Sequence, residues 1–265
     1  MSPGVSVPAG RTPVLARAHP LAKLGAAFVI TIALLLTVDW VSASVALVFE
    51  LAVLPLTGLT YPVLVRRGWP ILGAAVMGGY STALLAPGSG RTIVTVGAVT
   101  ISAGALTVGV AITLRGLAIA LPGVLVLTCT DPTDLADGLA QKLRLPHRFV
   151  LGALAALRLV GLLGEEWTTL GMARRARGAG ARNRWGRPVG AQLEQGLALL
   201  VQAIRRATRL AVTMEARGFG GAERTWARAS RYSRIDLGVG AAGILVSTVA
   251  VVAAVVTGTW DPIWR

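Results

Sequence analysis

Apolar residues run almost unbroken over Leu21–Val38, Val41–Leu59 and Leu237–Val256, and nearly so over Trp69–Leu85. Each run approaches the roughly 20 residues that cross a bilayer as a helix. Asp39-Trp40 reads as a turn between the first two. Pro62 and the pair Arg66-Arg67 mark a loop before the third, and Pro87-Gly88-Ser89-Gly90 ends it with turn geometry that a helix cannot continue. Ile93 to Cys129 admits two readings: one span preceded by an extended or re-entrant piece over 93–102, rich in Val, Ile and Thr, or two spans joined at Arg115-Gly116. The second piece of the latter, Leu117–Cys129, is short for a crossing.

Beyond Cys129 the period changes from continuous to amphipathic. Asp131-Pro132-Thr133-Asp134 opens a short helix that ends before Pro146: Asp131 can cap, Pro132 suits the first position, and Asp134 and Asp137 lie near the positive end of the dipole. A second helix carries Val150, Leu154, Leu157, Val160, Leu163, Trp167 and Leu170 on one face, opposite Arg158, Glu165 and Arg174, and ends at Gly178. A third opens after Pro188 and ends at Gly218. It places Leu193, Leu197, Leu200, Ile204, Ala207, Ala211 and Met214 together, opposite Gln202, Arg205, Arg206 and Arg209. Arg224, Arg228, Arg231 and Arg234 fall on one helical face before the last span, where they would anchor at an anionic inner leaflet.

Composition agrees with the apolar runs: 54 % of residues are hydrophobic and 14 % charged, which predicts an integral membrane protein. The first twenty residues, with four prolines, lack a signal-peptide core, so the first span is expected in the mature protein. Cys129 is the one cysteine, and His19 and His147 are the two histidines, which excludes a disulfide framework and argues against a protein-only zinc site. A formal charge of +14 suggests nucleic acid, but the basic residues are not interleaved with stacking aromatics in a polar domain. Residues 131–235 hold 18 Arg or Lys against 8 Asp or Glu, and basic loops stay cytoplasmic. With one span over 93–129, four crossings precede this segment, and it shares the cytoplasmic side with the N-terminus. With two, the most basic part of the chain would face out. The expected fold is therefore an all-α integral membrane protein of about five transmembrane helices, with a cytoplasmic helical segment between the fourth and fifth. Its parts are a cytoplasmic segment 1–20, four spans over 21–130, the helices of 131–235, and a final span with an outer C-terminus over 236–265.

The motif with most content is a near-repeat 40 residues apart, Ala176-Arg177-Gly178-Ala179-Gly180 and Ala216-Arg217-Gly218-Phe219-Gly220, closing two consecutive long helices. Each glycine suits the left-handed residue after a helix, and each arginine sits where the dipole favours a cation. Such triplets also serve as plain caps; their matched placement points to docking of a partner. Asp131, Asp134 and Asp137 resemble a magnesium-diphosphate cluster, but with Pro132 beside them they read as a capped helix start. Glu50 and Arg115 lie within proposed spans, where ionisable groups are expensive and often functional. Arg115 could equally mark a boundary, and Glu50 could face the bundle interior. Glu165-Glu166 reads as a solvated face able to pair with neighbouring arginines. The two lysines, Lys23 after Ala22 and Lys142 after Gln141, leave no Gly-Lys-Ser/Thr phosphate loop anywhere.

These residues resemble a family, the transmembrane T component (EcfT/CbiQ type) of energy-coupling factor transporters. His19-Pro20-Leu21-Ala22-Lys23-Leu24 is similar to the family's Asp-Pro-Arg-x-Lys-Leu opening, departing from it at His19. Thr130-Asp131-Pro132-x-Asp134-Leu135 is similar to its Thr-Thr-Asp-Pro-x-Asp-Leu lead-in to the coupling helices, with Cys129 in front. Ala176-Arg177-Gly178 and Ala216-Arg217-Gly218 match its paired signatures. The resemblance implies a non-catalytic subunit of an importer of vitamins or of cobalt or nickel ions, in the cell membrane. It implies that Arg177 and Arg217 enter grooves on two ABC ATPase subunits, a homo- or heterodimer, and that the membrane part holds a small substrate-binding S component. No cofactor is expected on this chain, ATP being bound by the partners; the other partner is the bilayer, not nucleic acid. Two other readings are a membrane-embedded enzyme acting on lipid or diphosphate substrates through the Asp131 cluster, and a protein recruiting anionic lipid through its arginines alone.

Overall fold

The computed structural model describes residues 14–37, 39–58, 60–86, 92–96, 99–178, 189–221, 226 and 228–260. The expected break at 87–90, the first thirteen residues, Ala179-Gly180, Pro188 and Arg224 lie outside these. Two compact units are present. One comprises residues 7–135 and 231–265, the other residues 136–230 with 1–6, and the boundary falls inside a helix.

The first unit is a helical bundle. Helix α1 is Pro20–Leu35, α2 Trp40–Val53, α3 Tyr61–Leu85, α4 Ala103–Cys129 and α8 Arg234–Val256. Trp40–Thr57, Ala103–Cys129 and Arg234–Val256 are long and apolar enough to cross a membrane, and α1 is a shorter apolar helix. The protein is thus a multi-pass membrane protein. The ends are written in the sequence. Asp39 caps α2 by accepting from the Ser42 N–H, and Ser233 and Asp236 form a reciprocal capping box on α8. A left-handed Gly58 closes the 3-10 turn Leu54–Thr57 that extends α2.

Residues 93–129 follow the first of their two readings. Strands β1 (Thr92–Val96) and β2 (Val99–Ser102) pair antiparallel, and α4 then runs unbroken through Arg115-Gly116. Arg115 is no boundary: its guanidinium donates to the Leu35 carbonyl at 2.8 Å and so satisfies the end of α1. The loop expected at Pro62 and Arg66-Arg67 is not there; all three lie inside α3, which spans 25 residues. Pro62 occupies the first turn, where its missing N–H has no acceptor to lose, and arginine is a good helix former.

Packing here relies on small residues. Helix α4 packs on α1, α2 and α3, and α8 on α1 and α2. Helices α3 and α4 touch backbone to backbone: a Cβ on Gly109 would lie 2.7 Å from the Gly79 carbonyl oxygen. Without hydrophobic drive between helices in lipid, such close approach maximises dispersion contact. Ala43, Ala46, Ala105, Ala118, Ala250 and Ala254 are likewise buried.

The second unit holds most of α5 (Pro132–Gln141), then α6 (His147–Ala176) and α7 (Val189–Ala216). Ala136, Ala140 and Val150 form a small core with Leu139, Leu154 and Trp226 packed on it. Gln141 ties in the trailing chain, donating to the Arg228 carbonyl at 2.8 Å and accepting from the Ser230 N–H at 2.9 Å. The expected helical face of arginines is absent among the described residues: Arg228 and Arg231 lie on irregular chain and only Arg234 is helical.

Candidate docking site at two helix ends

Helices α6 and α7 run in opposite directions. At one end Arg174 pairs with Glu194; at the other, Arg148, in the first turn of α6, donates to the Gly220 carbonyl at 2.7 Å, just beyond α7. Between them Gln195 donates to the Trp167 carbonyl at 2.6 Å, and Arg206 pairs with Glu166 at 2.5 Å. Polar side chains therefore bridge the seam, beside apolar ones such as Leu154, Leu162, Leu210 and Met214.

The apolar stripes of the two helices are not what joins them throughout. In α7, Gln195, Arg206, Leu210 and Met214 turn to α6, whereas Leu193, Leu197, Leu200 and Ile204 are 54–64 % exposed. In α6, Leu157 and Val160 are exposed, and Arg174, expected on the polar face, is drawn into the seam. Salt bridges and side chain–backbone bonds contribute to this contact beside the apolar residues. Glu166 does pair with an arginine, as expected, while Glu165 is exposed.

The two signatures build matching ends. At the first, Arg177 is the C-cap residue that follows Ala176, and Gly178 comes next at φ +72°, its N–H bonded to the Arg175 carbonyl at 3.0 Å. At the second, Gly218 has φ +74° and its N–H bonds to the Glu215 carbonyl at 2.9 Å. Phe219 completes that cap with a bond to the Met214 carbonyl at 2.9 Å. Both arginines and the flanking Ala176 and Ala216 are exposed. Because the helices are antiparallel, Arg177 and Arg217 stand at opposite ends of the pair, not side by side. Arg217 also borders a cavity of about 590 Å³ walled by Leu154, Arg158, Met214 and Phe219.

The second glycine of the repeat has its own cause. Gly220 lies at φ +94°, and a Cβ there would sit 2.5 Å from the Arg148 guanidinium. Arg148 was not evident as a partner in sequence, since nothing local joins positions 72 residues apart.

The other motifs serve the membrane unit. His19 caps α1, its Nδ1 accepting from the Leu21 N–H at 3.1 Å, so it does at this position what an aspartate would do. Its own N–H donates to Asp236 at 2.5 Å, and its ring lies 4.6 Å from that of Tyr232. Lys23 is buried and its ammonium donates to the Cys129 carbonyl at 2.9 Å, which joins the opening motif to the end of α4. Asp131 accepts from the Thr133 N–H at 2.7 Å, as a cap should. Among the described residues no group of three His, Cys, Asp or Glu is placed to hold a metal ion.

Residues 12–226, a stretch that includes both signatures, match the model of the CbiQ family, described as cobalt transport protein. The chain belongs to the CbiQ family. It is also similar to the energy-coupling factor transporter transmembrane protein EcfT of Bacillus selenitireducens, 28 % identical over 219 residues that cover 79 % of this chain and 81 % of that one. As a CbiQ-family member it is a non-catalytic membrane component of a transporter, which sets aside the enzyme reading of the Asp131 cluster.

Proposed function

We infer that this CbiQ-family chain is the T component of an energy-coupling factor importer, carrying the ATP-driven motion of two ATPase subunits to a substrate-binding S component. The observation that carries the reading is the pair of matched caps, each presenting an exposed arginine, at opposite ends of one antiparallel helix pair. Two equivalent ends suit a two-subunit partner. Helices of 30 and 28 residues measure about 45 and 42 Å at 1.5 Å per residue, long enough to carry displacement between separate docking points. Arginine offers a planar five-donor fork for carboxylates in a groove. The ATPases must contact the two ends differently in their open and closed states, since only a difference in contact can drive a shift. The exposed leucines of α7 form an apolar strip suited to partner subunits rather than to water.

The five helices α1, α2, α3, α4 and α8 give the topology we favour: five crossings, with the N-terminus and residues 131–235 cytoplasmic and the C-terminus outside. The excess of arginine in 131–235 supports it. In a Cys129→Ser background, single cysteines at Arg67 and Ser230 should be shielded from an impermeant thiol reagent in intact cells, and one at Trp260 should react. Labelling of position 230 from outside overturns the orientation.

Docking is tested by charge reversal. Arg177→Glu or Arg217→Glu alone should leave the protein inserted but cut transport, and the double reversal should abolish copurification with the ATPases. A desolvated pair turned to like charges costs on the order of several kcal/mol. Arg→Lys should be partly tolerated, because lysine lacks the fork. A double reversal that assembles and transports normally reduces both signatures to helix caps.

A further inference from the structure

Glu50 is a buried acid of the membrane unit whose oxygens have no hydrogen-bond partner among the described residues. It sits in α2 and is 5 % exposed. It borders an open cavity of about 430 Å³ between α1, α2, α4 and α8, whose lining is apolar apart from Glu50, Lys23 and Cys129: Ala27, Ile30, Phe49, Pro122 and Val246 are among it. That volume lies in the range of small-molecule sites, which pair an apolar lining with a few placed polar groups. Lys23 also reaches this cavity, and its ammonium donates to the Cys129 carbonyl at 2.9 Å.

A carboxylate with no donor in an apolar wall is costly unless something supplies one. Water is a poor occupant, since a buried water needs two to four polar partners. A bare divalent cation needs a shell of oxygen ligands, and one carboxylate does not make one. What remains is a ligand with a cationic donor at one end and an apolar body at the other. We propose that this cavity binds a lipophilic cation, an ammonium head carrying an apolar chain, with the Glu50 carboxylate as counter-ion. The head gains a charge-assisted hydrogen bond, and the chain fills the space between α1, α2, α4 and α8. An aminolipid and a free amphiphilic amine share this chemistry.

The test uses the full chain in neutral detergent, with dodecylammonium and dodecanol as probes and native mass spectrometry as the readout. The expected result is saturable one-to-one binding of dodecylammonium, at least tenfold weaker for dodecanol and at least tenfold weaker in Glu50→Gln, with an unchanged thermal midpoint in that variant. Ala27→Phe, which fills the cavity and keeps the acid, should also lose binding, so the site stays testable if Glu50→Gln folds poorly. Equal binding of the two probes, or undiminished binding by Glu50→Gln or Ala27→Phe, overturns the proposal. Phosphatidylethanolamine retained one-to-one by the wild type and lost in Glu50→Gln identifies an aminolipid as the occupant. If dodecylammonium binds and no such lipid is retained, the occupant is a free amine; both results uphold the site.

Discussion

The membrane unit and the α6–α7 pair are both made of long helices, yet they are joined by opposite means. In the first, backbones touch at Gly79 and Gly109, small side chains fill the contacts, and polar groups mostly close helix ends: Lys23 on Cys129, Arg115 on Leu35, Asp236 on His19. In the second, Glu166–Arg206, Arg174–Glu194, Gln195–Trp167 and Arg148–Gly220 bridge the helices, and leucines are left outside. Shape sets the first contact and charge the second. A close-packed seam has one arrangement, because any shift opens voids or clashes. A seam of exposed ion pairs is weakly held, which would suit the coupling role proposed above.

The largest effect expected from this contrast is at Gly109. A Cβ there would meet the Gly79 oxygen at 2.7 Å and the Ala83 Cβ at 2.8 Å, so Gly109→Leu must push α3 off α4. Overpacking of this kind costs about 1–3 kcal/mol or more, and the thermal midpoint of the purified chain should fall well below wild type. Leu197→Ala, at a position 63 % exposed, should shift that midpoint by no more than about 0.5 kcal/mol worth while weakening assembly with partners. Equal losses of stability from the two substitutions would make the α7 leucines core and erase the distinction.

A smaller loss is expected at Lys23. Lys23→Met keeps the stem in its buried place and removes the donor to the Cys129 carbonyl. An orphaned buried carbonyl costs about 1–3 kcal/mol, read as a lower midpoint in detergent. No change would mean that α4 ends without help from the opening motif.

These contrasts also mark where the sequence was readable. Helices α2, α4 and α8 were legible because a run of apolar residues about 20 long has few other uses, and their caps at Asp39 and Ser233 lie beside them. The two Ala-Arg-Gly ends were legible because glycine after a helix is a local rule. The loop assigned to Arg66-Arg67 failed because charge was read as a break, although arginine favours helix and Pro62 sits in its first turn. Which side of α7 meets α6 was not legible: periodicity finds the apolar side, while the contact draws on Gln195 and Arg206, whose partners lie 28 and 40 residues away. Arg148 with Gly220, Lys23 with Cys129 and Arg115 with Leu35 are long-range pairs of the same sort, which no local pattern encodes.

The smallest effect, and the finest test of the contrast, is the Glu166–Arg206 pair. The side chains are 19 % and 39 % exposed, and one oxygen of Glu166 and one nitrogen of Arg206 are buried without a partner, so the geometry is less than ideal. A pair this exposed at Arg206 is screened by solvent and salt, and a double-mutant cycle with Glu166→Gln and Arg206→Met should give a coupling of about 0.5 kcal/mol. Added salt should shrink it further, whereas Gly109→Leu should cost the same at any ionic strength. A coupling above about 2 kcal/mol that is indifferent to salt would be the signature of a desolvated lock. The α6–α7 seam would then hold one fixed arrangement, as the α3–α4 seam does, and the coupling role proposed above would require the pair to move as a single rigid body instead of by shifting one helix along the other.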